Sequence, residues 1–131
     1  MFNEISGNTM VESIGIDIVE VDRMRADLER YGDRFLKRIL SPEERAIMTA
    51  RADQGLFLAG RFACKEAVVK ALGKYLTERP ALSDISITND PTGQPLVSFP
   101  EAVQARLGKA KVMISISHEH SHAVAMALIC E

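Results

Sequence analysis

Residues 111 to 130, KVMISISHEHSHAVAMALIC, hold two apolar runs of strand-forming composition separated by the polar HEHSH, and they read as a hairpin of two buried strands. Such a hairpin is marginal alone and needs further strands or a helix on its apolar face. The opposite end of the chain offers a strand: SIGIDIVEV, Ser13 to Val21, alternates and is rich in isoleucine and valine. Between these lie helical patterns. Val21, Met24, Leu28 and Tyr31 share one helical face, with Gly32 as the stop, and DRFLKRIL restarts a shorter helical piece at Asp33. Ser41-Pro42-Glu43-Glu44 is a helix start, with serine as cap, proline at the first helical position and Glu44 able to return the capping-box bond. A longer helix runs from about Gln54 to Lys74. DISIT and PLVSF, joined by the turn-forming NDPTGQP, predict a second hairpin, and a short helix follows from Pro100 to Leu107. Strand, helices, strands in that order predict the α+β class, a mostly antiparallel sheet packed against helices.

The length of 131 residues suits a single domain, placed here at 13–131 behind an N-terminal extension of residues 1–12. A net charge of −2 and a pI near 5.9 speak against a general nucleic-acid binder. The N-terminal MFNEISGNTMVESIG has no apolar run and reads as neither signal peptide nor membrane span, and nothing later approaches the roughly 18 uninterrupted apolar residues of a spanning helix. Cys64 and Cys130 form neither a disulfide framework nor a metal-type spacing, so both are expected to be reduced, in a cytoplasmic protein.

Several charges are not explained by packing. Asp17 is flanked by Ile14, Gly15, Ile16, Ile18 and Val19, so the sheet around it is expected to be dry, and a carboxylate there must be paired, capped or bound to a metal. The helix segment RFACKEAVVKALG, residues 61 to 73, carries Arg61, Lys65, Glu66 and Lys70 among apolar residues. Glu66 shares a face with Ala59, Phe62, Ala63, Lys70 and Gly73, a stripe of mostly small residues that lets another object approach. It reads either as a surface i,i+4 pair with Lys70 or, with Asp17 and the neighbouring cations, as part of a phosphate-plus-Mg²⁺ site. His118, His120 and His122 invite a zinc reading, but in a turn the strand alternation that would align them breaks down. Ser115 and Ser117 lack a nucleophile elbow.

GIDIVEVDR, FLAGRFACKEAVVKALG and SISHEHSHAVAMAL, in that order, resemble the three signatures of the holo-[acyl-carrier-protein] synthases, small single-domain 4′-phosphopantetheinyl transferases. The resemblance runs from about Ser13 to Glu131 and implies the 4′-phosphopantetheinyl transferase-like fold. It implies transfer of the phosphopantetheine arm of coenzyme A to a serine of apo-acyl carrier protein, with adenosine 3′,5′-bisphosphate released. It implies Mg²⁺, or Mn²⁺ in its place, on Asp17 and Glu66. Glu66 and Lys70 become the catalytic pair, Lys65 and Lys70 neighbours of the pyrophosphate, and Arg61, Gly73 and His118 parts of the coenzyme pocket. An acidic carrier protein is expected on Arg23 and Arg30 of the first helix, and a homotrimer with shared active sites is implied. The segment GKYLTERPALSDI departs from the family in lacking a glycine-rich turn and a tryptophan. A non-catalytic carrier-binding module on the same fold is the alternative, and zinc held by HEHSH a further rival.

Overall fold

The computed structural model describes residues 10–131, so most of the expected N-terminal extension lies outside the described residues. The order is β1 (Val11–Glu20), α1 (Val21–Tyr31), α2 (Asp33–Ile39), α3 (Pro42–Thr49), α4 (Gln54–Ala71), β2 (Ser86–Asn89), β3 (Pro95–Ser98), α5 (Glu101–Leu107), β4 (Lys111–His118) and β5 (His122–Cys130). β1, β5 and β4 form an antiparallel sheet in that order, and β2 and β3 form a separate antiparallel hairpin. This is the α+β architecture expected.

α4 is the central element. Leu58, Ala59, Ala63, Cys64, Ala67, Val68 and Ala71 are wholly buried along it. Its small residues let the sheet come close, and β1 crosses it at backbone contact. Ser13 Oγ donates to the Ala71 carbonyl at 2.6 Å, and a Cβ on Gly15 would stand 2.0 Å from the Ala67 carbonyl oxygen. Two strand residues rise about 6.6 Å and four helix residues about 6 Å, so β1 and α4 keep step antiparallel as they cross. The next inward position of β1 after Gly15 is Asp17, which the same step sets against Ala63, and Glu66 lies within one turn of α4 from there.

Two expectations are corrected. The sheet is covered by α4 on one face only: Ile14, Ile16 and Ile18 are 61%, 59% and 65% exposed, with Met113 and Met126 beside them. β1, β4 and β5 are therefore buried on alternate residues, and the isoleucines around Asp17 point away from it. Tyr31, assigned to the apolar stripe of α1, is also exposed; only Val21 and Met24 are fully buried, and the Tyr31 ring lies against Arg30 and Phe35. Gly32, at φ 60°, breaks α1 from α2, so Arg34 and Lys37 do not continue the row of Arg23 and Arg30. The capping box of α3 forms as read, Glu44 N–H donating to Ser41 Oγ and Ser41 N–H to Glu44 Oε1.

Candidate active site

Asp17 and Glu66 line one cavity of about 410 Å³ together with Glu20, Arg23, Phe62 and His122. Each carboxylate side chain is 20% exposed, and each meets a cation. Lys70 Nζ donates to Asp17 Oδ1 and to the Ile16 carbonyl, both at 2.9 Å. Arg79 Nη2 donates to Glu66 Oε2. The i,i+4 pair of Glu66 with Lys70 does not form, because β1 offers Lys70 a carboxylate and a carbonyl at once. The long 72–85 connection brings Arg79 to Glu66.

Two carboxylates from different elements, half-sheltered and each demanding a positive partner, fit a hard divalent cation. Mg²⁺ takes one or two protein carboxylates and completes its octahedron with water and phosphate oxygens. Among the described residues no three His, Cys, Asp or Glu side chains converge as a metal site. The three histidines diverge: His118 lines a different cavity, His120 is 94% exposed, and His122 lines the Asp17 cavity with its Nδ1 2.9 Å from Ser121 Oγ. Alternation is lost in the turn, so a tetrahedral zinc set is not assembled there.

A second cavity, about 320 Å³, is lined by Arg51, Asp53, Phe57, Arg61 and His118. Arg61 is 7% exposed; its guanidinium lies 4.5 Å from the centre of the Phe57 ring, and Nη2 donates to Asn89 Oδ1 at 3.2 Å. Its Nε is buried without a hydrogen-bond partner, 3.8 Å from Glu44 Oε2. Burial pulls the guanidinium down from its ordinary value while Glu44 holds it up, and it stays a cation. Two arginines, Arg51 and Arg61, with His118 on one cavity suit an anionic ligand.

Lys65, expected beside a pyrophosphate, sits in the core instead. Its ammonium is wholly buried, donating to the Ile39 carbonyl at 2.6 Å, the Leu82 carbonyl at 3.0 Å and the Glu44 carboxylate. Burial lowers its pKa and Glu44 opposes the shift. All three donors of the ammonium are used, so none is left to reach the Asp17 cavity. Gly73 lies exposed past the end of α4, on a smaller cavity with Val69, Leu76 and Arg79. Arg30 is on the exposed side of α1 and does not line the Asp17 cavity, whereas Arg23 does.

The structure thus brings Asp17, Glu66, Lys70 and Arg23 together and places Arg61 with His118 on a second cavity. It keeps Lys65, Gly73 and Arg30 apart from both. Arg79, Arg51 and the counter-ion role of Glu44 were not singled out from the sequence: the first lies in a segment without periodicity, the second in a short interhelical loop, and the third was accounted for by its cap.

The sequence model of the 4′-phosphopantetheinyl transferase superfamily matches residues 13–127. The chain belongs to that superfamily. A holo-[acyl-carrier-protein] synthase of Chlorobaculum tepidum is 46% identical over 115 residues, 88% of this chain and 95% of that one. The crystal structure of holo-[acyl-carrier-protein] synthase from Neisseria meningitidis superposes with a TM-score of 0.83 at 32% identity, covering 92% of this chain and 98% of the other. The Helicobacter pylori enzyme, solved in complex with coenzyme A, has a TM-score of 0.75 at 34% identity over 88% of this chain and 98% of that one. The chain is accordingly an enzyme of the holo-[acyl-carrier-protein] synthase type, with the 4′-phosphopantetheinyl transferase fold, and the reading as a non-catalytic module falls away.

Proposed function

We propose that the chain transfers the 4′-phosphopantetheine arm of coenzyme A to a serine hydroxyl of an apo-acyl carrier protein, yielding the holo-carrier and adenosine 3′,5′-bisphosphate. The observation that carries this reading is the shared cavity of Asp17 and Glu66, two carboxylates from β1 and α4 that each need a positive partner. They would hold Mg²⁺, or Mn²⁺ in its place. Bound there, the ion supplies positive charge to the pyrophosphate oxygens and orients them.

The chain's own groups then have distinct tasks. The serine oxygen forms a bond to the β-phosphorus while the bond from that phosphorus to the bridging oxygen breaks, and the electron pair leaves on the bisphosphate. Glu66 is the carboxylate suited to take the serine proton, one oxygen remaining for it when the other is engaged. Lys70, whose side chain is more than half exposed beside Asp17, adds fixed positive potential where charge builds up. Arg61 and His118 line the cavity suited to the anionic nucleotide part of the donor. The coenzyme A complex of the Helicobacter pylori relative supports coenzyme A as that donor.

The carrier protein is acidic, and Arg23 and Arg30 on the exposed side of α1 suit its approach. The uncovered sheet face with Ile14, Ile16, Ile18, Met113 and Met126 supports a subunit interface, since such an interface buries apolar area of that kind, and the homotrimer implied by the family resemblance would use it. No helix among the described residues is long and apolar enough to cross a membrane. The enzyme is read as cytoplasmic and as serving fatty-acid biosynthesis, by its likeness to the holo-[acyl-carrier-protein] synthases.

Intact-mass spectrometry of an apo-acyl carrier protein incubated with the chain, coenzyme A and Mg²⁺ tests the reading. A gain of about 340 Da on the carrier, abolished by chelator, is expected. A carrier of unchanged mass, from a folded enzyme and several carriers, contradicts it.

A further inference from the structure

The segment that departs from the family signatures, GKYLTERPALSDI at residues 73 to 85, delivers Arg79 to the Glu66 carboxylate. The arginine side chain is 59% exposed and the glutamate 20%, so the solvated partner of the pair is the arginine. Arg79 also lines a cavity of about 640 Å³ next to the site, together with Lys37, Arg38 and Phe62, and Phe62 is a wall of the Asp17–Glu66 cavity as well. The guanidinium therefore stands on the border between a carboxylate pair and a basic hollow.

We infer that Arg79 is a displaceable counter-ion of Glu66: it neutralises the carboxylate in the metal-free enzyme, gives way to the divalent cation, and then turns toward the Lys37–Arg38 hollow as an anion-binding group. This rests on the reading of Asp17 and Glu66 as the cation site. A guanidinium and a divalent ion on one carboxylate repel each other and compete for its single negative charge, so an ion bound at Glu66 weakens the Arg79 pair. An exposed arginine has little to lose by moving, because ion pairs of this kind are weak in water. Lys70 differs: it is tied to Asp17 and to a main-chain carbonyl of β1, so only one of the two carboxylates carries a partner without a backbone anchor. The exchange makes Arg79 a specificity element for the order of binding. Metal frees the arginine for the anionic donor, and by linkage the donor, in holding the arginine, favours the metal.

The test uses the full chain and Mn²⁺ alone, without coenzyme A or carrier, read by the loss of the free-ion electron paramagnetic resonance signal. Arg79→Gln is expected to bind Mn²⁺ on the order of fivefold more tightly than wild type, because the competitor is gone. Lys37→Ala, which removes a cation from the same hollow but none from Glu66, is expected to stay within about twofold. Thermal unfolding supplies a second readout: Arg79→Gln unfolds at a lower temperature than wild type in chelator, and the difference closes in saturating Mn²⁺. Unchanged or weaker Mn²⁺ binding by Arg79→Gln, equal tightening by Lys37→Ala, or a melting deficit that Mn²⁺ leaves in place overturns the inference. Glu66→Gln separates the two levels. Mn²⁺ binding lost in Glu66→Gln but identical in wild type and Arg79→Gln removes Arg79 alone, whereas binding retained in Glu66→Gln removes the cation site and the exchange with it.

Discussion

Replacing Lys65 with methionine separates a structural lysine from a pyrophosphate-binding one. The ammonium is wholly buried and spends its donors on the Ile39 and Leu82 carbonyls and on Glu44, which is itself wholly buried. Removing one member of a buried pair costs about 3–5 kcal/mol, because the other charge is left in the core. Glu44 would still accept from Ser41 N–H at 2.8 Å and Ile87 N–H at 3.0 Å, with Arg61 Nε at 3.8 Å. Those partners place the loss at the lower end, about 3 kcal/mol, which lowers the melting temperature by roughly 10 °C in a domain of this size. Adding Glu44→Gln removes the stranded charge while keeping an acceptor, and at least about half of the loss should return. Circular dichroism melts measure the stability, and calorimetric titration with coenzyme A in the cold measures donor affinity in the folded variant. The reasoning is refuted by a Lys65→Met enzyme that melts within about 2 °C of wild type yet binds coenzyme A tenfold more weakly, which would put the ammonium on the donor.

Three further outcomes follow from the same geometry. Gly15→Ala drives a Cβ against the Ala67 carbonyl, and the crossing of β1 over α4 must open; urea denaturation should show a loss of about 2–3 kcal/mol, and a loss under about 0.5 kcal/mol would contradict the close approach. Burial pushes the Cys64 thiol up to about 12 from 9.0. A raised folded pKa leaves the thiol neutral in both states below 9.0, and stability falls as pH rises from there toward about 12 because only the unfolded chain readily gives up the proton. Iodoacetamide near pH 8 should therefore label the half-buried Cys130 first and Cys64 only on unfolding; equal rates would contradict the burial. Arg23→Glu should raise KM for the carrier protein about tenfold with little change in melting temperature, and an unaltered KM would take α1 out of the docking surface.

Local chemistry carried most of the fold. Alternation in SIGIDIVEV, the Ser41–Glu44 box and the Asp90–Gly93 turn are signals within a few residues, and each formed as read. The closing hairpin was legible as strands but not in its burial, because which face α4 covers depends on pairings across the whole chain. For the same reason Asp17 was legible as anomalous but its surroundings were not: the isoleucines next to it in sequence point to the opposite side of the sheet. Lys65 shows the limit most clearly. It shares the charged helix segment with Glu66 and Lys70, yet a rotation of one residue along α4 turns it from the cavity into the core, where its partner Glu44 comes from another helix. Arg79 lies in a stretch with no pattern to read, and only the path of the connection brings it to Glu66.

The proposed function puts the cation centre of the transfer on Asp17 and Glu66, which β1 and α4 bring to one cavity. The rate of holo-carrier formation by Asp17→Asn and Glu66→Gln, followed by intact mass at saturating coenzyme A and Mg²⁺, tests it most directly. Both variants should remain folded at the assay temperature and react more slowly by about a hundredfold or more. Wild-type rates from either variant would remove the cation centre and leave the two carboxylates as ordinary partners of Lys70 and Arg79.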